Sequence, residues 1–142
     1  MAIQCEIIDA RVSPVYATAG SAGMDLFACV STPVMLAPGE TYLMSTGIKL
    51  HIGSTGYAGL ILPRSGLGHT RGIVLGNSVG LIDSDYKGEL KVSVWNRNRD
   101  EWYTIQPMDR IAQLIIVPIA HVALQFVAGV NRGEGGFGST GS

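Results

Sequence analysis

The chain has 142 residues, with 10 basic and 11 acidic side chains and a formal net charge of −1. That length suits one domain, able to bury about two thirds of its unfolded surface around a single core without metal or disulfide staples. The near-neutral balance provides no broad positive field, which excludes sequence-wide electrostatic binding of nucleic acid or anionic lipid.

The opening MAIQCEIIDA lacks the basic and apolar regions of a secretory signal. Cys5 and Cys29 form no CxxC, and His51, His69 and His121 are too far apart for a local zinc pattern, so a reducing, cytoplasmic setting is expected. Short apolar segments then recur with turn residues between them: Ile3–Asp9, Thr41–Ile52, Tyr57–Pro63, Gly72–Asp83, Glu89–Trp95, Glu101–Pro107, Arg110–Ile119 and His121–Val127. With 19 Gly and 6 Pro spread along the chain, helices have almost no room, and the spacing predicts an all-β sandwich or jelly-roll-like barrel. From Glu89 the pattern alternates as a strand does, with Leu90, Val92 and Val94 on one side. The run LIIVPIA from Leu114 is too short to cross a bilayer. Asn96–Asp100, NRNRD, reads as an exposed hairpin tip with solvated charges. Residues 1–128 form the β domain, and 129–142 a glycine-rich arm expected to stay mobile until a ligand supplies the ordering energy.

Five stretches could carry chemistry. In AGMDLFA, Asp25 follows a Gly-rich turn in an apolar setting, as a turn aspartate or as the carboxylate that a hard cation favours. In LPRSGLGHTRG, Arg64, Ser65 and Gly66 open a possible single helical turn whose free N–H groups, hydroxyl and guanidinium suit a phosphate; a turn with a capping serine is the plainer account. In GNSVGLIDSDYKGEL, two strand-like halves flank a hairpin tip where Asp83 ends an apolar approach. It can stabilise the turn, or act as a general base, since a carboxylate ionised at neutral pH can hold and polarise an attacking water. In DRIAQLII, Arg110 and Gln113 sit in an apolar strand and need partners, and strand parity puts them on opposite faces. The arm RGEGGFGSTGS matches GxGxxG and nearly matches GxxxxGK[ST], but no helix follows either pattern in this sequence. What survives is a set of backbone N–H groups able to converge on an anion, with Arg132 adding a bidentate fork.

In this order, AGMDLFA, PRSGLG, GLIDSDYKGEL, DRIAQLI and RGEGGFGSTG resemble the five motifs of the homotrimeric dUTPase family, over Ala22 to Gly141. The resemblance implies a distorted jelly-roll (β-clip) subunit, three of which share active sites at their interfaces. It further implies Mg2+-dependent hydrolysis of dUTP to dUMP and diphosphate by water attack on the α-phosphorus, limiting dUTP and supplying dUMP for thymidylate synthesis. Asp83 would then be the base, and Asn77 with the backbone at Leu81, Ile82 and around Lys91 would read uracil. Tyr86 would pack under the deoxyribose, while Arg64, Ser65, Gly66 and Gln113 would contact phosphates. Asp25 would anchor waters of the metal. From the arm, Arg132 would hold the γ-phosphate, Phe137 would cover the uracil, and Gly138 with Ser139 would complete the phosphate wrap. Arg110 resembles a residue near the interface, its role open.

The residues make physical sense of this scheme. Uracil and cytosine interchange donor and acceptor, so a fixed main-chain pattern can reject the wrong base, and a tyrosine against the sugar leaves no room for a 2′-hydroxyl. The arm, extended, spans roughly 45 Å, enough to reach a neighbouring subunit. Two other readings share these features. A dCTP deaminase relative needs a glutamate on the strand after the hairpin, where LKVSVW offers none; a nucleotide-binding β module would bind without turnover.

Overall fold

The structure, a computed structural model, describes residues 2–129. Ten strands and one helix follow in order: β1 Gln4–Ile7, β2 Met24–Phe27, β3 Val34–Leu36, β4 Thr41–His51, β5 Tyr57–Pro63, α1 Ser65–Arg71, β6 Ile73–Leu75, β7 Gly80–Ile82, β8 Glu89–Asn96, β9 Tyr103–Ile105 and β10 Arg110–Pro118. They form two four-stranded sheets, β1-β4-β8-β6 and β2-β10-β5-β7, and a small β3-β9 ribbon, all antiparallel. The all-β, jelly-roll expectation holds.

Period-2 patterning builds the core. Leu90, Val92 and Val94 of β8 are buried and face Met44 and Ile48 of β4, and across the sandwich Leu26, Ile61 and Leu114 close the other side. Truncating one such side chain to alanine typically costs about 2–5 kcal/mol through lost transfer energy and a residual cavity. Thr46, also buried, is satisfied by donating its hydroxyl to the Leu90 carbonyl at 2.6 Å. A bulge interrupts β4 between Ser45 and Lys49, and Gly47 within it has φ +71°. A Cβ there would lie 2.8 Å from Cys29 Sγ, so the site requires glycine on both conformational and steric grounds.

Four sequence expectations are corrected. His121–Val127 forms no strand and stays uncovered, with Val122, Leu124 and Phe126 at 75%, 75% and 93% exposure. The helical turn after Pro63 is a seven-residue helix closed by Gly72 in the left-handed conformation. NRNRD is not simply a solvated tip: Asn96 is fully buried. Its Nδ2 donates to the carbonyls of Leu36 (3.1 Å) and Glu101 (2.8 Å), and its Oδ1 accepts from Asn98 N (3.1 Å) and Nδ2 (2.8 Å). Every hydrogen-bonding position of the amide is used, which is what allows burial. Finally, the strands flanking DSDYKG do not pair: β7 joins β5, and β8 joins β4 and β6. Among the described residues no helix is long and apolar enough to cross a membrane.

Candidate active site

Two clusters hold the described candidate residues, one beyond each end of β5, the second extending to Lys91 on the other sheet. The first lies beyond the C-terminal end of β5. Gln113 of β10 stands directly opposite Asp25 of β2 on one side and Leu62 of β5 on the other, so three separate motifs meet by register. The chain leaves β5 at Pro63 and turns at once into α1, whose first N–H groups have no intrahelical acceptor. Asp25, Arg64, Ser65, Gly66, Arg110 and Gln113 line one cavity of about 320 Å3. Arg64 Nε lies 3.1 Å from Asp25 Oδ1, and Arg110 Nη1 lies 3.3 Å from Oδ2, so each carboxylate oxygen meets one guanidinium. Gln113 Nε2 donates to the Pro63 carbonyl at 3.0 Å, fixing the amide against the turn.

Arg110 and Gln113 share this cavity, contrary to the parity expectation. Arg110 pairs with Phe27 but Ala112 pairs with Leu26, so β10 advances two residues while β2 advances one. Ile111 is the extra residue of a bulge, its side chain buried in the core, and the phase change brings Arg110 round to the face of Gln113. Gly23 is a support that sequence reasoning passed over: a Cβ there would lie 3.1 Å from Gln113 Oε1 and 3.3 Å from the Leu114 carbonyl. Nothing in the local sequence signals that cross-strand contact.

The second cluster lies at the other end. Asn77 and Ser78 make the turn from β6 to β7, with Ser78 at φ 64°. Gly76 N–H still donates to the Ser93 carbonyl (2.8 Å), after which β7 diverges to pair with β5. Leu81 and Ile82 thus pair with β5, while Lys91 is exposed on β8 opposite Ser45, and no ladder joins β7 to β8. Tyr86 folds back over its own turn and donates its hydroxyl to the Glu89 carbonyl at 2.9 Å, and a Cβ on Gly88 would overlap the ring. Glu89 itself is bound by the Ser45 hydroxyl and by Gly47 N–H (3.0 Å). The turn is tied to the body by Gly53 N–H donating to the Ser84 carbonyl at 2.9 Å. Asp83 is exposed, beside a second cavity of about 480 Å3 lined also by Ala58, Leu81, Ile119 and His121. The apolar approach to it is open rather than buried, with Val79 at 44% and Leu81 at 65% exposure.

Because Ile82 stands opposite Gly59, Asp83 falls beside Ala58, whereas Arg64 follows the far end of β5. At about 3.3 Å per residue the two are roughly 20 Å apart along the strand. A carboxylate working as a base must come within one water of its proton. The first cluster offers a hard cation one carboxylate, Asp25, whose two oxygens already meet Arg64 and Arg110, so an ion there would need most of its ligands from a bound anion or water. No group of three or more His, Cys, Asp or Glu among the described residues could hold a metal unaided. Arg132, Phe137, Gly138 and Ser139 lie outside the described residues, as does the arm beyond Gly129.

Fold and cavities together define an all-β jelly-roll protein with a cleft lined by two guanidiniums and one carboxylate. Residues 10–141 match the family described as dUTPase, and the chain belongs to that family. A deoxyuridine 5'-triphosphate nucleotidohydrolase of Azoarcus sp. is 57% identical, covering 98% of this chain and 97% of the relative. One of Neisseria meningitidis serogroup B is 55% identical, covering 99% and 97%. Among solved structures, a mutant dUTPase of Staphylococcus bacteriophage 80alpha with dUpNHpp superposes with a TM-score of 0.83 at 28% identity, covering 99% of both chains. A mutant dUTPase from phage phi11 of S. aureus, described for the coordination of a structural Mg(II) ion, gives 0.81 at 25% identity, covering 93% of this chain and 100% of that one.

Proposed function

We propose that the chain hydrolyses dUTP to dUMP and diphosphate at sites assembled between copies of itself in a homotrimer. One observation carries the shared site: Asp83 and the Arg64–Gln113 cavity occupy opposite ends of β5, too far apart to serve one phosphate chain. A neighbour's turn brings Asp83 to the cavity of the next subunit. The apolar surface left uncovered at Val79, Leu81, Ile119, Val122, Leu124 and Phe126 supports burial against such neighbours.

In this reading the open arms at Asn77, Leu81, Ile82 and Lys91 receive uracil through main-chain groups, and Tyr86, held by the Glu89 carbonyl, underlies the deoxyribose. Arg64, Ser65, Gly66 and Gln113 orient the triphosphate, and its γ-phosphate meets Arg132 of the arm, which closes with Phe137 over the base and Gly138 and Ser139 along the phosphates. Asp83 holds a water in line with the α-phosphorus and takes its proton as the bond to the leaving diphosphate breaks. Mg2+, when bound, neutralises charge on the phosphate oxygens, with Asp25 placed to hold its waters. Contrary to the sequence expectation, β8 does begin with a glutamate, Glu89; one of its oxygens, Oε1, accepts from the Ser45 hydroxyl and Gly47 N–H, which ties it to the β4 bulge and favours a structural role over a deaminase shuttle. The unpaired Cys5 and Cys29 support a reducing, cytoplasmic setting.

The test is a nucleotide panel assayed for diphosphate, with and without chelator. Release from dUTP, little from dCTP or dTTP, and loss on chelation are expected. Ammonia from dCTP, or tight dUTP binding without product, would replace this reading. Removing residues after Asn131 should leave a folded oligomer with impaired hydrolysis.

A further inference from the structure

We propose that Arg110 is a phosphate-binding residue, oriented by Asp25, that adds a second guanidinium to the cavity of Arg64. The inference rests on reading that cavity as a phosphate site, and extends it to a residue with no assigned role.

Three features carry it. The Ile111 bulge turns Arg110 out of the parity of its strand and onto the wall that holds Gln113, Ser65 and Gly66. Such a bulge sacrifices a regular ladder, and re-aiming a side chain is its common effect. Next, among the described residues the Arg110 guanidinium meets one partner: Nη1 lies 3.3 Å from Asp25 Oδ2, while the side chain remains 52% exposed. A guanidinium has five N–H donors in a planar fork, so most of its donors remain for a ligand. Last, the cavity carries two guanidiniums against one carboxylate. A single cation would have sufficed to pair Asp25; the second leaves a net positive charge that an oligophosphate would neutralise. Arg64 Nη1 also donates to the Arg110 carbonyl at 3.4 Å, which couples the two cations into one wall.

The experiment separates the phosphate chain from the base. Binding of inorganic tripolyphosphate and of deoxyuridine is measured by calorimetry on the full chain in chelator, for wild type, Arg110→Gln and Arg110→Lys, alongside KM and kcat for dUTP. Loss of charge-assisted hydrogen bonds should weaken tripolyphosphate about 10- to 100-fold in Arg110→Gln, raise KM correspondingly, and leave deoxyuridine affinity unchanged. Arg110→Lys, which keeps the charge without the fork, should fall between the two and serves if the glutamine variant does not fold. Tripolyphosphate affinity within twofold of wild type in Arg110→Gln overturns the proposal. So does equal loss of deoxyuridine binding, which would make Arg110 structural. Wild type that binds tripolyphosphate but does not cleave dUTP would reject the hydrolase reading while leaving Arg110 judged by the affinity comparison. Wild type that binds no tripolyphosphate rejects both.

Discussion

Mixing two inactive variants tests the divided site directly. Asp83→Asn removes the proposed base, which should lower turnover about 10²–10⁴-fold. Arg64→Gln removes a proposed phosphate contact and should lower kcat/KM about 10- to 100-fold. Along β5 the two positions lie roughly 20 Å apart at about 3.3 Å per residue, a gap that one aspartate and one arginine side chain do not close around a single phosphorus. If each site takes Asp83 from one subunit and Arg64 from the next, random reassembly of equal amounts gives about one site in four with both groups intact, whatever the ring size. Diphosphate release after the variants are unfolded together and refolded should therefore rise to about a quarter of wild type, above either parent and above the two refolded separately and then pooled. A mixture no more active than its parents would place both residues of each site on one chain and refute the geometry.

Other expected outcomes follow from individual contacts. Gly88→Ala should force Tyr86 off the Glu89 carbonyl and open the sugar side, so dUTP over UTP discrimination in kcat/KM should drop, by up to about 100-fold, with dUTP turnover less affected. Asn96→Leu takes the Asn96 partner from the Leu36 and Glu101 carbonyls and from Asn98 N–H, while Asn98 Nδ2 keeps only the Arg71 carbonyl, and urea unfolding should show a loss of more than about 3 kcal/mol. Side-chain and backbone hydrogen bonds from Arg11, with help from the Cys29 thiol, hold the Asp9 carboxyl well below the usual carboxylate range. A depressed folded value stabilises the protein fully above the unfolded value near pH 4, and the stabilisation declines as pH falls toward the folded value. The stability gap between wild type and Arg11→Met should accordingly be flat from pH 7 to about 4 and shrink below it; a gap that stays constant to pH 2 would contradict this.

Much of the fold was legible because it is written in local chemistry. Val92 and Val94 alternate with polar neighbours, and Tyr57–Pro63 is an apolar run ended by a proline, so β8 and β5 followed from the pattern. The family resemblance was legible for the same reason: residue types such as Arg-Ser-Gly or Asp-Arg-Ile-Ala-Gln are contiguous. His121–Val127 alternates as convincingly as β8, yet it finds no ladder within its own chain, since a strand exists only where a partner edge is present. Asn96 reads in the sequence as part of a solvated tip because the carbonyls that satisfy it, at Leu36 and Glu101, lie outside its own strand.

By itself, then, the sequence determined which side chains are available, in which strands and turns, and the family they belong to. Tertiary structure alone decided how they meet. Parity counted along one strand separates Arg110 from Gln113, and only the register of β10 against β2 reveals the bulge that joins them. The hairpin motif and the arginine motif adjoin in sequence, yet β7 returns along β5 and carries Asp83 to the far end. Register is fixed by contacts between distant segments, and no count along a single strand contains it.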